Sequence, residues 1–155
     1  MLPNVTNPDD EVTRWALRAR SGDRDALERF VRATQRQVWE LGAHLADVRS
    51  ADDLARETYA RAVAGLRRFS GRTPARTWLL AIARRVVLDR RGEPVSDRHE
   101  ALVLTQVLGL SYAEAAEVVG CVVEEVRSRV ARARADLVRA ARESGTRESG
   151  TTEVG

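Results

Sequence analysis

Apolar side chains recur along most of this chain at three-, four- and seven-residue steps, the spacing of one face of a helix. From Arg24 to Asp47 the set Leu27, Phe30, Val31, Val38, Leu41 and Leu45 keeps that rhythm and predicts one long helix. A helix before it starts at Asp9 or Asp10 and runs to about Arg20. Val12, Trp15, Leu17 and Ala19 give it a mostly apolar side, and Ser21-Gly22-Asp23 breaks it. Ser50 is placed to cap a third helix, with Asp52 and Asp53 favouring its N-terminal dipole. Leu54, Tyr59, Val63 and Leu66 are its apolar side. Pro74 suits the first turn of a fourth helix that reaches about Arg91, with Trp78, Leu79, Ile82 and Ala83 as core positions.

Gly92-Glu93-Pro94-Val95 is the clear break inside the patterned part. Beyond it, Ser96 opens a helix through Leu108, and Gly109-Leu110 turns the chain. Ser111 with Glu114 three residues later reads as a capping box, and Gly120 as a C-terminal glycine. A last helix runs from about Val123 to Glu143. No alternating strand pattern is present. The fold class is therefore all-α, with a helical domain over 10–91, a short linker over 92–97 and a second helical domain over 98–143. Residues 1–10 and 144–155 are polar and expected to be frayed or disordered tails.

Composition sharpens this picture at a few points. Aromatics are only 5% of the 155 residues, and every one of the 26 basic residues is arginine, a usage that reflects a G+C-rich coding sequence before any phosphate chemistry. Net charge is only +3, but it is unevenly spread. Residues 71–92 hold six arginines against Asp89, and 127–142 hold six against Asp136, so each stretch carries +5. Two basic foci separated by neutral or acidic chain suit two contact points on one polyanion. A single cysteine, Cys121, excludes an internal disulfide. No apolar run is long enough to span a membrane and the N-terminus lacks a signal peptide's apolar core, so the expectation is a cytoplasmic protein without membrane insertion. His44, His99 and Cys121 lack metal-ligand spacing, and no nucleophile–base or phosphate-loop pattern stands out. No catalytic residue, metal or cofactor is assigned.

The C-terminal part has the layout of a helix-turn-helix: a short helix to Gly120, a tight turn, and a longer basic helix. Such a unit lays its second helix in the major groove, where arginine reaches guanine edges and phosphates. Arg127, Ser128, Ala131 and Arg132 share one face near the start of that helix, with Val126, Val130 and Leu137 toward the core. Glu124 and Glu125 at its first turn oppose phosphate but suit the helix dipole.

LTQVLGLSYAEAAEVVGC followed by VRSRVARARADL resembles the promoter-reading part of sigma-70 family factors, and more narrowly of their extracytoplasmic-function group. SADDLARETYARAVAGLRRFSG resembles that group's polymerase-binding helix, and RTWLLAIARRVVLDRR its segment at the upstream edge of the melted promoter. The runs SADDL, ARTWLLAIAR and RSRVARAR resemble the sigma-C type. The resemblance implies a region 2 helical bundle joined to a region 4 helix-turn-helix. It places Asp53, Leu54, Glu57, Thr58 and Tyr59 against the clamp helices of the RNA polymerase core's large subunit. It places Arg84, Arg85, Asp89, Arg90 and Arg91 at the −10 element, and Arg127, Ser128 and Arg132 at the −35 element of promoter DNA. An anti-sigma factor, or occlusion of one domain by the other, is the regulation it implies. Family members usually have glutamine at the Arg56 position, asparagine at Arg85, and the turn Cys-Pro-Val-Gly-Thr where this chain has Cys121-Val122-Val123-Glu124-Glu125.

The linker departs from the resemblance. Family members join the two domains by several tens of residues and open the second with an additional helix. Six residues reach only about 20 Å, so either a segment is missing between the domains or the chain does not use both promoter elements together. Two further readings stay open: a stand-alone helix-turn-helix regulator, and a helical module whose charged faces meet only other proteins.

Overall fold

The structure, a computed structural model, describes residues 8–148. Seven α-helices and no strand occur among them. Helix α1 spans Pro8–Arg20, α2 Arg24–Leu45, α3 Ala51–Gly65 and α4 Ala75–Arg91. After a five-residue link come α5 at Asp97–Leu102, α6 at Tyr112–Val119 and α7 at Val123–Glu148.

The first four helices pack as a bundle, with α2 against α1, α3 and α4. Its centre is aliphatic, built on Phe30, Leu41, Leu45, Leu79, Leu80, Val86 and Val87, all fully buried. Local signals set the ends. Asp23 caps α2 by accepting from the Ala26 amide at 3.0 Å. Thr13 of α1 caps α4 from outside, accepting from the Ala75 amide at 2.9 Å, so Pro74 precedes the helix and is not in its first turn. Ser50 also departs from expectation. Its side chain caps nothing, and its amide and hydroxyl both donate to Asp47. Val63, expected on the apolar side of α3, is exposed.

The second unit is built on stronger local chemistry. Ser111 and Glu114 form the full capping box, each side chain accepting from the other's amide. Gly120 ends α6 at φ +81°, a left-handed conformation that glycine adopts without strain. The helix expected from Ser96 through Leu108 is not uniform. Past Leu102 it widens into a π turn over Val103–Val107, closed by the Leu108 amide donating to the Val103 carbonyl at 3.0 Å. The wider turn buries both Leu104 and Leu108. Helix α7 runs on to Glu148, so residues 144–148 belong to a helix and not to a tail. The rest of that expected tail, and most of the N-terminal one, lies outside the described residues. Leu137 was expected in the core and is 58% exposed.

The two units share one hydrophobic core. Buried side chains from Val12 to Val130 form a single cluster. Helix α6 packs on α4, and the π turn packs on α2. Polar contacts cross the same seam. Arg84 of α4 pairs with Glu100 of α5, whose side chain is 3% exposed. Gln37 of α2 donates to the Leu108 carbonyl at 3.0 Å, and the His99 ring meets the His44 carbonyl at 2.9 Å.

Candidate functional site

The predicted polymerase-facing residues of α3 divide by burial. Leu54 and Thr58 are buried, and the Thr58 hydroxyl donates back to the Leu54 carbonyl at 2.7 Å. In the free chain they hold α3 on the bundle. Tyr59 is half-buried, its hydroxyl 2.8 Å from that of Thr34, and burial pushes its pKa up. Asp53 is exposed, with Arg56 at 3.1 Å. Glu57 lies between two arginines, Arg61 at 2.7 Å and Arg90 of α4. Arg61 in turn reaches Asp89 at 2.7 Å. One chain of charges thus ties α3 to α4.

The Arg90 guanidinium first, and Arg61 second, hold the Glu57 carboxyl below its ordinary 4.5. A carboxylate depressed in the folded state adds stability that is present above its unfolded pKa and is lost as pH falls through the lower folded value. A carbon-13 NMR titration is expected to find the Glu57 midpoint below 4.5, and Arg90→Ala should move it back up.

Beside this helix lies a feature that the residue pattern did not single out. An apolar groove of about 800 Å³ runs between α2 and α3, lined by Val31, Trp39, Ala55, Arg56 and Tyr59. Trp39 is 37% exposed, and its indole N–H donates to Asp52 at 3.0 Å. The sequence signal was a large aromatic one step off the buried stripe of α2, next to Val38.

Of the five residues expected at the −10 element, four meet the protein itself. Arg84 pairs with Glu100, Asp89 with Arg61, Arg90 with Glu57, and Arg91 donates to the Leu45 carbonyl. Arg85 is exposed and has no partner among the described residues. Trp78, a tempting base platform, stacks on Phe69 with ring centroids 4.8 Å apart, in keeping with a core role.

The helix-turn-helix is formed by α6 and α7. On α7, Arg127 and Arg132 are exposed and Ser128 is half-buried between them. The Arg127 guanidinium lies 5.8 Å above the Tyr112 ring, a cation–π distance that limits its swing. Arg129 points the other way, to Glu125 at 2.9 Å and Asp97 at 3.7 Å. Glu125, which seemed out of place beside DNA, therefore holds an arginine of its own helix. Cys121 is a free, half-buried thiol. Among the described residues no helix is long and apolar enough to cross a membrane, and no group of three or more His, Cys, Asp or Glu is placed to hold a metal ion.

A helical bundle fused to a basic helix-turn-helix defines a DNA-binding transcription protein. Residues 25–92 match the family described as Sigma-70 region 2, and residues 96–137 match Sigma-70, region 4. The chain is 46% identical to a probable RNA polymerase sigma-C factor of Mycobacterium bovis, covering 88% of this chain and 95% of that one. The same figures hold for the ECF RNA polymerase sigma factor SigC of Mycobacterium tuberculosis. Among solved structures, CnrH in complex with the cytosolic domain of CnrY is similar with a TM-score of 0.79 and 27% identity, covering 86% of this chain and 99% of that one. The sigma factor RpoE of Bartonella quintana, solved with the anti-sigma factor NepR, shares the fold at a TM-score of 0.63 and 22% identity, over 75% of this chain and 96% of that one.

The chain belongs to the sigma-70 family, in its extracytoplasmic-function group, and serves promoter-directed initiation of transcription. The alignment with the mycobacterial relatives spans 176 positions but uses only about 136 residues of this chain, so about 40 positions face a gap here. The two family matches are separated by Glu93, Pro94 and Val95 alone.

Proposed function

We propose that residues 10–91 bind the RNA polymerase core, with Asp53 and Glu57 on α3 and the adjoining Trp39 groove as the contact surface. The observation that carries this reading is the groove itself. An exposed aromatic in an apolar trough, rimmed by the charges of Asp52, Asp53 and Arg56, fits a helical partner bearing arginines and apolar side chains. Arg85 serves the −10 element, with Arg90 and Asp89 held beside it by their ion pairs and Arg91 by its hydrogen bond to the Leu45 carbonyl. Arg127, Ser128 and Arg132 serve −35-type DNA. The protein works by binding, catalyses no reaction of its own and acts in the cytoplasm. An anti-sigma protein is the second partner.

Size-exclusion chromatography with core RNA polymerase at moderate salt, without DNA, tests the reading. The chain is expected to co-elute with core. Asp53→Arg alters only an exposed side chain and should weaken co-elution at least tenfold, the loss expected for one charge reversal at a contact. Unchanged co-elution of that variant would move the interface elsewhere. DNA retention by the isolated chain without polymerase, with no co-elution, would favour the stand-alone regulator.

A further inference from the structure

We propose that Glu124 is a base-reading residue of the second unit and selects a cytosine beside the guanine taken by Arg127. The inference rests on the reading of α7 as the helix that serves −35-type DNA, and concerns which base pairs that helix prefers. The two acids at the start of α7 are placed differently. Glu125 is taken by Arg129 of its own helix at 2.9 Å. Glu124 is exposed, and its carboxylate has no ion-pair or hydrogen-bond partner among the described residues. With about 3.6 residues per turn, Arg127 lies roughly 60° to one side of Glu124 and Ser128 roughly 40° to the other. Val126, Val130 and Ala133, the buried stripe of α7, lie on the opposite side of the helix. Glu124 is therefore at the middle of the outward face that carries Arg127, Ser128 and Arg132.

Its place along the helix points the same way. Glu124 is the second residue of α7, and a recognition helix brings its N-terminal residues to the base edges of the major groove. An ionised carboxylate accepts hydrogen bonds and donates none. Guanine offers it two acceptors and thymine an acceptor and a methyl group, so neither suits it. Adenine sets an acceptor beside its one donor. Cytosine presents a donor, its N4 amino group, with no acceptor next to it. Three residues of helix rise about 4.5 Å, little more than one base step of about 3.4 Å, so the pairs facing Glu124 and Arg127 are neighbours. Arg127, whose swing is limited by the Tyr112 ring at 5.8 Å, is suited to the O6 and N7 of guanine. A carboxylate among arginines weakens attachment to phosphate at every sequence alike. What it adds is choice between sequences, since a wrong base leaves it unpaired.

The test uses the full chain bound to core polymerase and a DNA library randomised over about 50 base pairs upstream of a transcription start, long enough to include the contacts of both units. Templates retained by the complex are sequenced for the unaltered chain and for Glu124→Ala, Glu124→Gln and Arg127→Ala. Glu124 is exposed, so neither replacement disturbs the packing of α7. The unaltered chain is expected to enrich a cytosine in the pair next to the one whose preference Arg127→Ala removes. Glu124→Ala should lower that cytosine preference about tenfold, within the usual loss for one mismatched pair, and leave the other positions unchanged. Glu124→Gln, whose amide fits the N6 and N7 of adenine, should move the favoured base at that position alone from cytosine to adenine. A missing cytosine preference, or one that survives Glu124→Ala, overturns the proposal. So does a uniform gain over all sequences with no change of base preference, the result expected if the carboxylate only repels phosphate and serves the helix dipole. Co-elution with core but no position altered by Arg127→Ala would instead sink the assignment of α7 to DNA, and the inference with it.

Discussion

Leu104→Ala is expected to lower the stability of the whole chain by about 3 kcal/mol, within the range for deleting a buried leucine side chain. Leu104 sits in the π turn with no exposed surface, and the turn packs on α2 of the first unit. All three tryptophans, Trp15, Trp39 and Trp78, lie in that first unit. If the two units share one core, a truncation in the second must shift the unfolding that these indoles report. Tryptophan fluorescence and far-ultraviolet circular dichroism should therefore give one coincident transition, lowered by about 10 °C for a chain of this size. An unchanged fluorescence midpoint beside a lowered helical signal would show two independent units and would sink the shared-core account.

Glu100→Ala should cost a comparable amount, about 3 kcal/mol, because it leaves the Arg84 guanidinium without its buried counter-charge. The loss belongs to the broken pair and not to attraction alone, since withdrawing both charges from water already opposes much of their attraction. The double replacement Arg84→Met with Glu100→Leu puts apolar volume where the pair stood. It should regain most of the stability in a denaturant titration, while Arg84→Met alone should not. A double variant as unstable as Glu100→Ala would mean that the seam depends on the ion pair itself.

The parts of the fold that were legible in the sequence are those fixed by local chemistry. The capping box at Ser111 and Glu114, the terminal glycine at Gly120 and the heptad-like stripe of α2 each act within a few residues, and each is present. The π turn was not legible, because it leaves the spacing of apolar residues close to that of an ordinary helix and differs only in which carbonyl is bonded. The roles of the arginines were half legible. An arginine that will meet phosphate and one that, like Arg84, will meet Glu100 look alike until the chain is folded. Arg84 and Arg129 turn inward, whereas Arg85, Arg127 and Arg132 stay exposed. Leu54 and Thr58 are legible in another way: their four-residue spacing on α3 is that of a buried stripe, and burial is what the structure shows.

The single core running from Val12 to Val130 also bears on descent and on engineering. Proteins made of beads on flexible strings evolve by exchange, each bead being replaced without regard to its neighbour. Here a foreign second unit would have to match the surfaces of α2 and α4 as closely as Leu104 and Glu100 do. Substitutions on one side of the seam therefore constrain those that the packing tolerates on the other.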